Sequence, residues 1–126
     1  MSVVGIGTDI VSVGRMADLV ERHGERFRER CFRSRELAVG ESGDLPDAGH
    51  VAGRWAAKEA FLKALGTDVR GIPYRDIEVR KTAPGPVGLV LHGKALEAMN
   101  RVGGRTAHLS ISHEREFAVA TVLVEG

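Results

Sequence analysis

The stretch HVAGRWAAKEAFLKAL, residues 50–65, constrains this chain more than any other. It is a run of good helix formers closed by Gly66, a residue suited to a helix C-terminus. Ala52, Trp55, Ala56 and Leu62 flank Glu59, and Ala57, Phe61 and Ala64 fill the other side. A helix that is apolar nearly all round belongs in a core. Yet Arg54, Lys58, Glu59 and Lys63 are embedded in it. Lone charges are expensive to bury, so these four need partners, a metal or a ligand. The plain alternative is an ion pair between Glu59 and Lys63, four residues apart, on a solvated stripe.

The rest of the pattern supplies a sheet for this helix. At 126 residues the chain reads as a single domain, 1–126. Residues 3–11 read as a strand that Gly14 ends, and residues 15–30 as a helix broken or bent near Gly24. A short helix capped by Ser34 is expected over 34–39, then a loop, GESGDLPDAG, over 40–49. Residues 77–81 and 87–91 flank TAPGP and read as a hairpin or neighbouring strands. A helix over 94–102 stops at Gly103 and Gly104, and strands follow over 106–112 and 117–124. Short connections favour antiparallel pairing. The predicted fold is α+β, an antiparallel sheet packed against the long central helix.

Aromatics make up 5% of the chain, so the core must be mostly Val, Leu, Ile and Ala. A net charge of +1 gives no overall preference, and any charged partner must be met by a local patch. The single cysteine, Cys31, excludes an intramolecular disulfide and suits a reducing compartment. The start, MSVVGIGTDIV, lacks the features of a signal peptide, and no window resembles a membrane span. A cytoplasmic location without membrane contact is expected.

Asp9 stands out in the first strand, where aspartate is depleted. Strand alternation puts Val3, Gly5, Gly7, Asp9 and Val11 on one face. The two glycines leave room for a ligand or another segment to approach. Alternatively, Asp9 sits near the strand end and bonds a turn around Ser12 or Gly14. Two carboxylates on separate elements, Asp9 and Glu59, make a poor cage for a bare ion. They suit Mg²⁺ if phosphate oxygens and waters complete its shell. Nearby cationic side chains fit the same phosphate-bearing ligand.

Arg22, Arg26, Arg30 and Arg33 fall on one helical ridge beside Glu21, Glu25 and Glu29. Such a face is either solvated and laced with ion pairs or a docking surface for an acidic partner. His108, Ser110 and Ser112 share one face of their strand, and His113 closes it on the other. No Walker loop, dinucleotide fingerprint or zinc-protease motif is present. Nucleic-acid binding has only the arginine ridge in its favour, against near-zero net charge and few aromatics.

Taken in order, GIGTDIV at 5–11, RWAAKEAFLKALGT at 54–67, DIEV at 76–79 and SISH at 110–113 resemble the holo-acyl-carrier-protein synthases, the short phosphopantetheinyl transferases. The resemblance spans almost the whole chain. It implies transfer of 4′-phosphopantetheine from coenzyme A to a serine of apo acyl carrier protein, leaving adenosine 3′,5′-bisphosphate. By that resemblance Asp9 and Glu59 match the Mg²⁺ ligands, with Mn²⁺ an alternative ion. Lys63 matches the lysine that contacts the diphosphate, and Arg54 and Lys58 match basic positions around the coenzyme A phosphates. Ser112 and His113 match a segment lining the nucleotide site, and Pro84, Gly85 and Pro86 the turn near the adenine. Arg15, Arg22 and Arg26 resemble the helix that docks the acidic carrier protein.

The resemblance further implies a homotrimer with sites between subunits, serving fatty-acid or polyketide synthesis. On this reading Glu59 and Lys63 are the catalytic residues, and the serine proton goes to Glu59 or to a metal-bound water. A degenerate trimer without activity is a further reading, opposed by the intact Asp9, Glu59 and Lys63. Ser12 departs from the family, which often carries Glu there.

Overall fold

The computed structural model describes residues 2–37, 47–66, 69–81 and 85–126. Strand β1 (Val3–Ser12) runs directly into helix α1 (Val13–Cys31). A 3₁₀ turn (Ser34–Glu36) and the central helix α2 (Ala48–Leu65) follow. A second 3₁₀ turn (Tyr74–Asp76) leads into β2 (Ile77–Lys81) and β3 (Val87–Leu91). Helix α3 (Gly93–Arg101) and strands β4 (Thr106–His113) and β5 (Phe117–Glu125) complete the chain.

The strands form two antiparallel sheets where one was expected. One sheet has the order β1-β5-β4, and β2 with β3 makes a separate ribbon. Helix α2 lies across the inner face of the three-stranded sheet. Its Ala56, Ala57, Ala60, Phe61 and Ala64 pack with Ala120, Val122 and Val124 of β5 and with Ile77 and Val79 of β2. The small alanines let the helix approach closely.

Gly5 and Gly7 take this to its limit. A Cβ on Gly5 would lie 1.9 Å from the Ala64 carbonyl oxygen, and one on Gly7 2.0 Å from that of Ala60. The space beside Asp9 is therefore filled by α2, another segment of the same chain. Val3 leaves the face it was assigned to. A register shift between Val3 and Gly5 breaks the alternation, and Val3 is largely exposed.

Three local features differ from expectation for identifiable reasons. Helix α1 starts two residues early because the Ser12 side chain accepts a hydrogen bond from the Arg15 amide, 3.2 Å away. Gly14 is thus inside the helix. The expected bend falls at His23, whose φ of −132° and ψ of 22° are not helical. The expected helix over 34–39 is only a 3₁₀ turn. The Glu36 carboxylate folds back onto the Arg33 amide at 2.8 Å and closes it. Residues 38–39 lie outside the described residues. Helix α2 begins at its Asp47 cap, which accepts from the His50 amide, and ends at Gly66 with φ 80°.

Candidate functional site

Because α2 lies so close to β1, its side chains reach the strand directly. The Lys63 ammonium donates to Asp9 Oδ1 at 2.8 Å and to the Thr8 carbonyl at 3.1 Å. This pairing holds the Lys63 pKa above its ordinary value, first through the hydrogen bond and then through the Asp9 charge. The ion pair of Lys63 is thus with Asp9, not with Glu59. Glu59, one helical turn earlier, is held from elsewhere. The Tyr74 hydroxyl donates to Glu59 Oε1 at 2.9 Å. Burial and the adjoining Glu59 carboxylate push the Tyr74 pKa up to about 12.

Asp9 and Glu59 line one cleft of about 360 Å³ with Ser12, Arg15, Met16, Leu19 and Trp55. Glu59 also borders a second groove of about 570 Å³, between Lys63, Leu62, Arg70, Ile72 and Tyr74. A ligand passing from one to the other would meet both carboxylates and the lysine. Among the described residues no three His, Cys, Asp or Glu side chains cluster to hold an ion. The donor set is two carboxylates. Asp9 Oδ2 and Glu59 Oε2 carry no hydrogen bond from the described residues. Hard oxygen donors with positions left for water and phosphate fit Mg²⁺, which dehydrates reluctantly.

Lys58 requires a correction. It was expected at the coenzyme A phosphates, but its side chain is wholly buried and faces inward. Its ammonium pairs with Glu36 at 2.8 Å and donates to the carbonyls of Tyr74 at 2.9 Å and Ile77 at 2.5 Å. An ammonium has three hydrogens, and all three are used. Burial pulls the Lys58 pKa down while Glu36 opposes that pull. Glu36 is as buried; its Oε2, the oxygen 2.8 Å from the ammonium, also accepts from the Val79 amide at 2.9 Å, and its Oε1 accepts from Lys58 at 3.0 Å. This ion pair joins α2, the first 3₁₀ turn and β2.

Arg54 does face a cleft. That cleft, of about 590 Å³, is lined by Arg35, His50, Arg80 and Lys81 together with Glu36 and Asp47. Arg54 Nε donates to the Glu36 carbonyl at 2.9 Å, which fixes the side chain at the cleft wall. Beneath it, the buried Glu78 carboxylate accepts from Arg35 at 2.6 and 3.0 Å and from Arg80 at 3.1 and 3.0 Å. His92 Nε2 lies 2.8 Å from Glu78 Oε1. Burial alone would raise the Glu78 pKa, but these bonds outweigh it and hold it at about 2.

The remaining expected residues scatter. The His113 ring sits 5.4 Å from that of His50, against Gly49 near the start of α2. Ser112 is exposed on β4, opposite Val119. Gly85 and Pro86 lead into β3, and Pro84 lies outside the described residues. Arg15 borders the Asp9 cleft, while Arg22 and Arg26 are exposed along α1. The His23 kink separates Arg22 from Arg26, so the arginine ridge is not continuous. Sequence reasoning missed Glu36, Glu78 and Tyr74. Only Glu78, a charge between Ile77 and Val79, carried a signal that burial would demand partners.

The family model described as the 4′-phosphopantetheinyl transferase superfamily matches residues 5–122. A Gloeobacter violaceus protein named holo-[acyl-carrier-protein] synthase is 45% identical over 121 residues, 96% of this chain and 92% of that one. One of the same name from Halorhodospira halophila is 46% identical over 123 residues, 97% of each chain. The solved holo-[acyl-carrier-protein] synthase of Neisseria meningitidis superposes with a TM-score of 0.84 at 35% identity, over 99% of this chain and all of that one. The Helicobacter pylori synthase, solved in complex with coenzyme A, gives a TM-score of 0.80 at 30% identity, over 95% and 99%.

Proposed function

This chain belongs to the 4′-phosphopantetheinyl transferase superfamily and is a transferase, and from that premise we propose that it moves 4′-phosphopantetheine from coenzyme A to a serine of apo acyl carrier protein, with Mg²⁺ held by Asp9 and Glu59. The observation that carries this reading is the convergence of Asp9 and Glu59 on one cleft, with Lys63 at Asp9. When bound there, Mg²⁺ supplies charge neutralisation and orientation of the diphosphate.

The chain's own residues do the rest. The carrier serine oxygen bonds to the β-phosphorus as the bond to the departing adenosine 3′,5′-bisphosphate breaks. Lys63 meets the charge that builds on the leaving group. The serine proton passes to Glu59 or to a water in the cleft that Asp9 and Glu59 line. Arg54, with Arg35, Arg80 and Lys81 around it, offers the nucleotide phosphates a basic wall. Arg15 at the mouth of the Asp9 cleft and Arg22 and Arg26 beyond it offer the acidic carrier a landing face.

A second copy of the chain covers the outer face of the three-stranded sheet, giving the homotrimer. Ile6 (64% exposed), Ile10 (63%), Phe117 (43%) and Val119 (38%) leave that face apolar and open in the single chain. Ser112, beside Val119, then lies at a subunit boundary, which is how it comes to meet a nucleotide. No helix among the described residues is long and apolar enough to cross a membrane.

The test is a pair of variants. Asp9→Ala should remove Mg²⁺-dependent transfer, and a rate near that of the native protein would show the metal assignment wrong. Arg22→Glu should weaken use of the carrier with little change in coenzyme A binding. Equal loss of both would contradict the docking face.

A further inference from the structure

Glu59 is gripped at one oxygen by a residue that no motif marks. Tyr74 opens the second 3₁₀ turn, and its hydroxyl donates to Glu59 Oε1 at 2.9 Å. The tyrosine is fixed from three sides. Its ring packs on Trp55, with centroids 4.5 Å apart and planes tilted by 40°. Its carbonyl accepts from the buried Lys58 ammonium at 2.9 Å. Pro73 precedes it with φ of −66°, the angle that a proline ring enforces. Trp55 is backed in turn by Phe27 of α1, with centroids 5.4 Å apart.

An aromatic ring needs none of this polar precision to fill a core position. A phenylalanine would make the same ring contacts with Trp55. The hydroxyl adds only the bond to Glu59. Glu59 Oε2, in contrast, carries no hydrogen bond among the described residues, and Glu59 borders the cleft shared with Asp9. A glutamate on a helix surface has three rotatable bonds, and one fixed oxygen removes most of that freedom.

We propose that Tyr74 is a positioning residue for metal binding: it anchors Glu59 Oε1 so that Oε2 is presented to the ion beside Asp9. This rests on the assignment of Asp9 and Glu59 as metal ligands. It deepens that assignment by naming the group that orients one of them. Hydrogen bonds to a ligating carboxylate typically change metal affinity by about 10- to 100-fold.

The experiment titrates the full-length protein with Mn²⁺ at a fixed, saturating concentration of coenzyme A, whose diphosphate completes the ion's shell, and follows free Mn²⁺ by electron paramagnetic resonance against a protein-free coenzyme A blank, for native protein, Tyr74→Phe and Glu59→Gln. Tyr74→Phe should weaken Mn²⁺ binding about tenfold while leaving Tm close to native. In transfer assays it should raise the Mg²⁺ concentration needed for half-maximal rate by a similar factor, with kcat recovered at saturating Mg²⁺. Recovery by metal separates orientation from structural damage. If Glu59→Gln loses Mn²⁺ binding and Tyr74→Phe does not weaken it, the role of Tyr74 is refuted while the metal assignment stands. If Glu59→Gln binds Mn²⁺ as the native protein does, both fall.

Discussion

Gly7→Ala places one methyl group where α2 meets β1. The new Cβ would lie 2.0 Å from the Ala60 carbonyl oxygen, 2.6 Å from the Ala64 nitrogen and 3.0 Å from Lys63 Cβ. The first two atoms are helix backbone and cannot rotate aside. Heavy atoms settle near ~3.5 Å, so the helix must retreat by about 1.5 Å. The 2.8 Å bond from Lys63 to Asp9 breaks with it. Overpacking of a tight core costs about 1–3 kcal/mol, and a clash with rigid backbone belongs at the upper end. For a domain of this size that lowers Tm by about 10–15 °C. Displacing Glu59 and Lys63 by more than 1 Å from Asp9 should reduce the transfer rate about 100-fold. Circular dichroism melting and intact-mass detection of the modified carrier read the two effects. Gly24→Ala is the control. Nothing lies within 4 Å of its new methyl, so the same change in α1 should leave Tm equal or higher. A Gly7→Ala protein that melts and turns over like the native one would refute the close approach.

Three further outcomes follow from separate parts of the structure. Lys58→Met leaves Glu36 buried without its partner and should destabilise by about 3–5 kcal/mol, seen in urea unfolding, while coenzyme A affinity of the folded fraction stays native; a selective loss of affinity would return Lys58 to the ligand site. Glu78 has its pKa held near 2 against an ordinary 4.5, so its stabilisation is complete above about pH 4.5 and disappears as pH falls towards 2. Urea midpoints over that window should fall more steeply for the native protein than for Glu78→Gln, and equal slopes would contradict the network around it. Val119→Asp puts a charge on the open sheet face, 38% exposed in the single chain, and should convert a trimer to folded monomers by light scattering; an unchanged oligomer would place the interface elsewhere.

What the sequence made legible was local. Helix α2 announced itself because every turn of it carries alanine, leucine or phenylalanine and Gly66 stops it. Strands β2 and β3 were read with correct limits because the proline- and glycine-containing stretch TAPGP separates IEVRK, which alternates at its start, from the apolar VGLVL. Gly5 and Gly7 signalled close approach, but not what approaches. That depends on the register between a strand and a helix more than 50 residues further on. The buried charge of Lys58 was visible as a problem, and its solution was not, because Glu36 lies 22 residues away across a segment without periodicity. Tyr74 was missed for the same reason. Its bond to Glu59 spans 15 residues, and an aromatic in a turn looks like packing until the hydroxyl is seen to have a target. The split into two sheets was also hidden. Alternation marks a strand's faces but does not say which strand will be its neighbour.

The pairing of Asp9 and Glu59, with which the site begins, is tested most directly by intact-mass analysis of apo acyl carrier protein incubated with coenzyme A and this protein, with and without Mg²⁺. The account predicts that the carrier gains one phosphopantetheine in the presence of Mg²⁺, keeps its apo mass when the metal is chelated, and keeps it also with Asp9→Ala. Transfer that survives both chelation and the loss of Asp9 would contradict it.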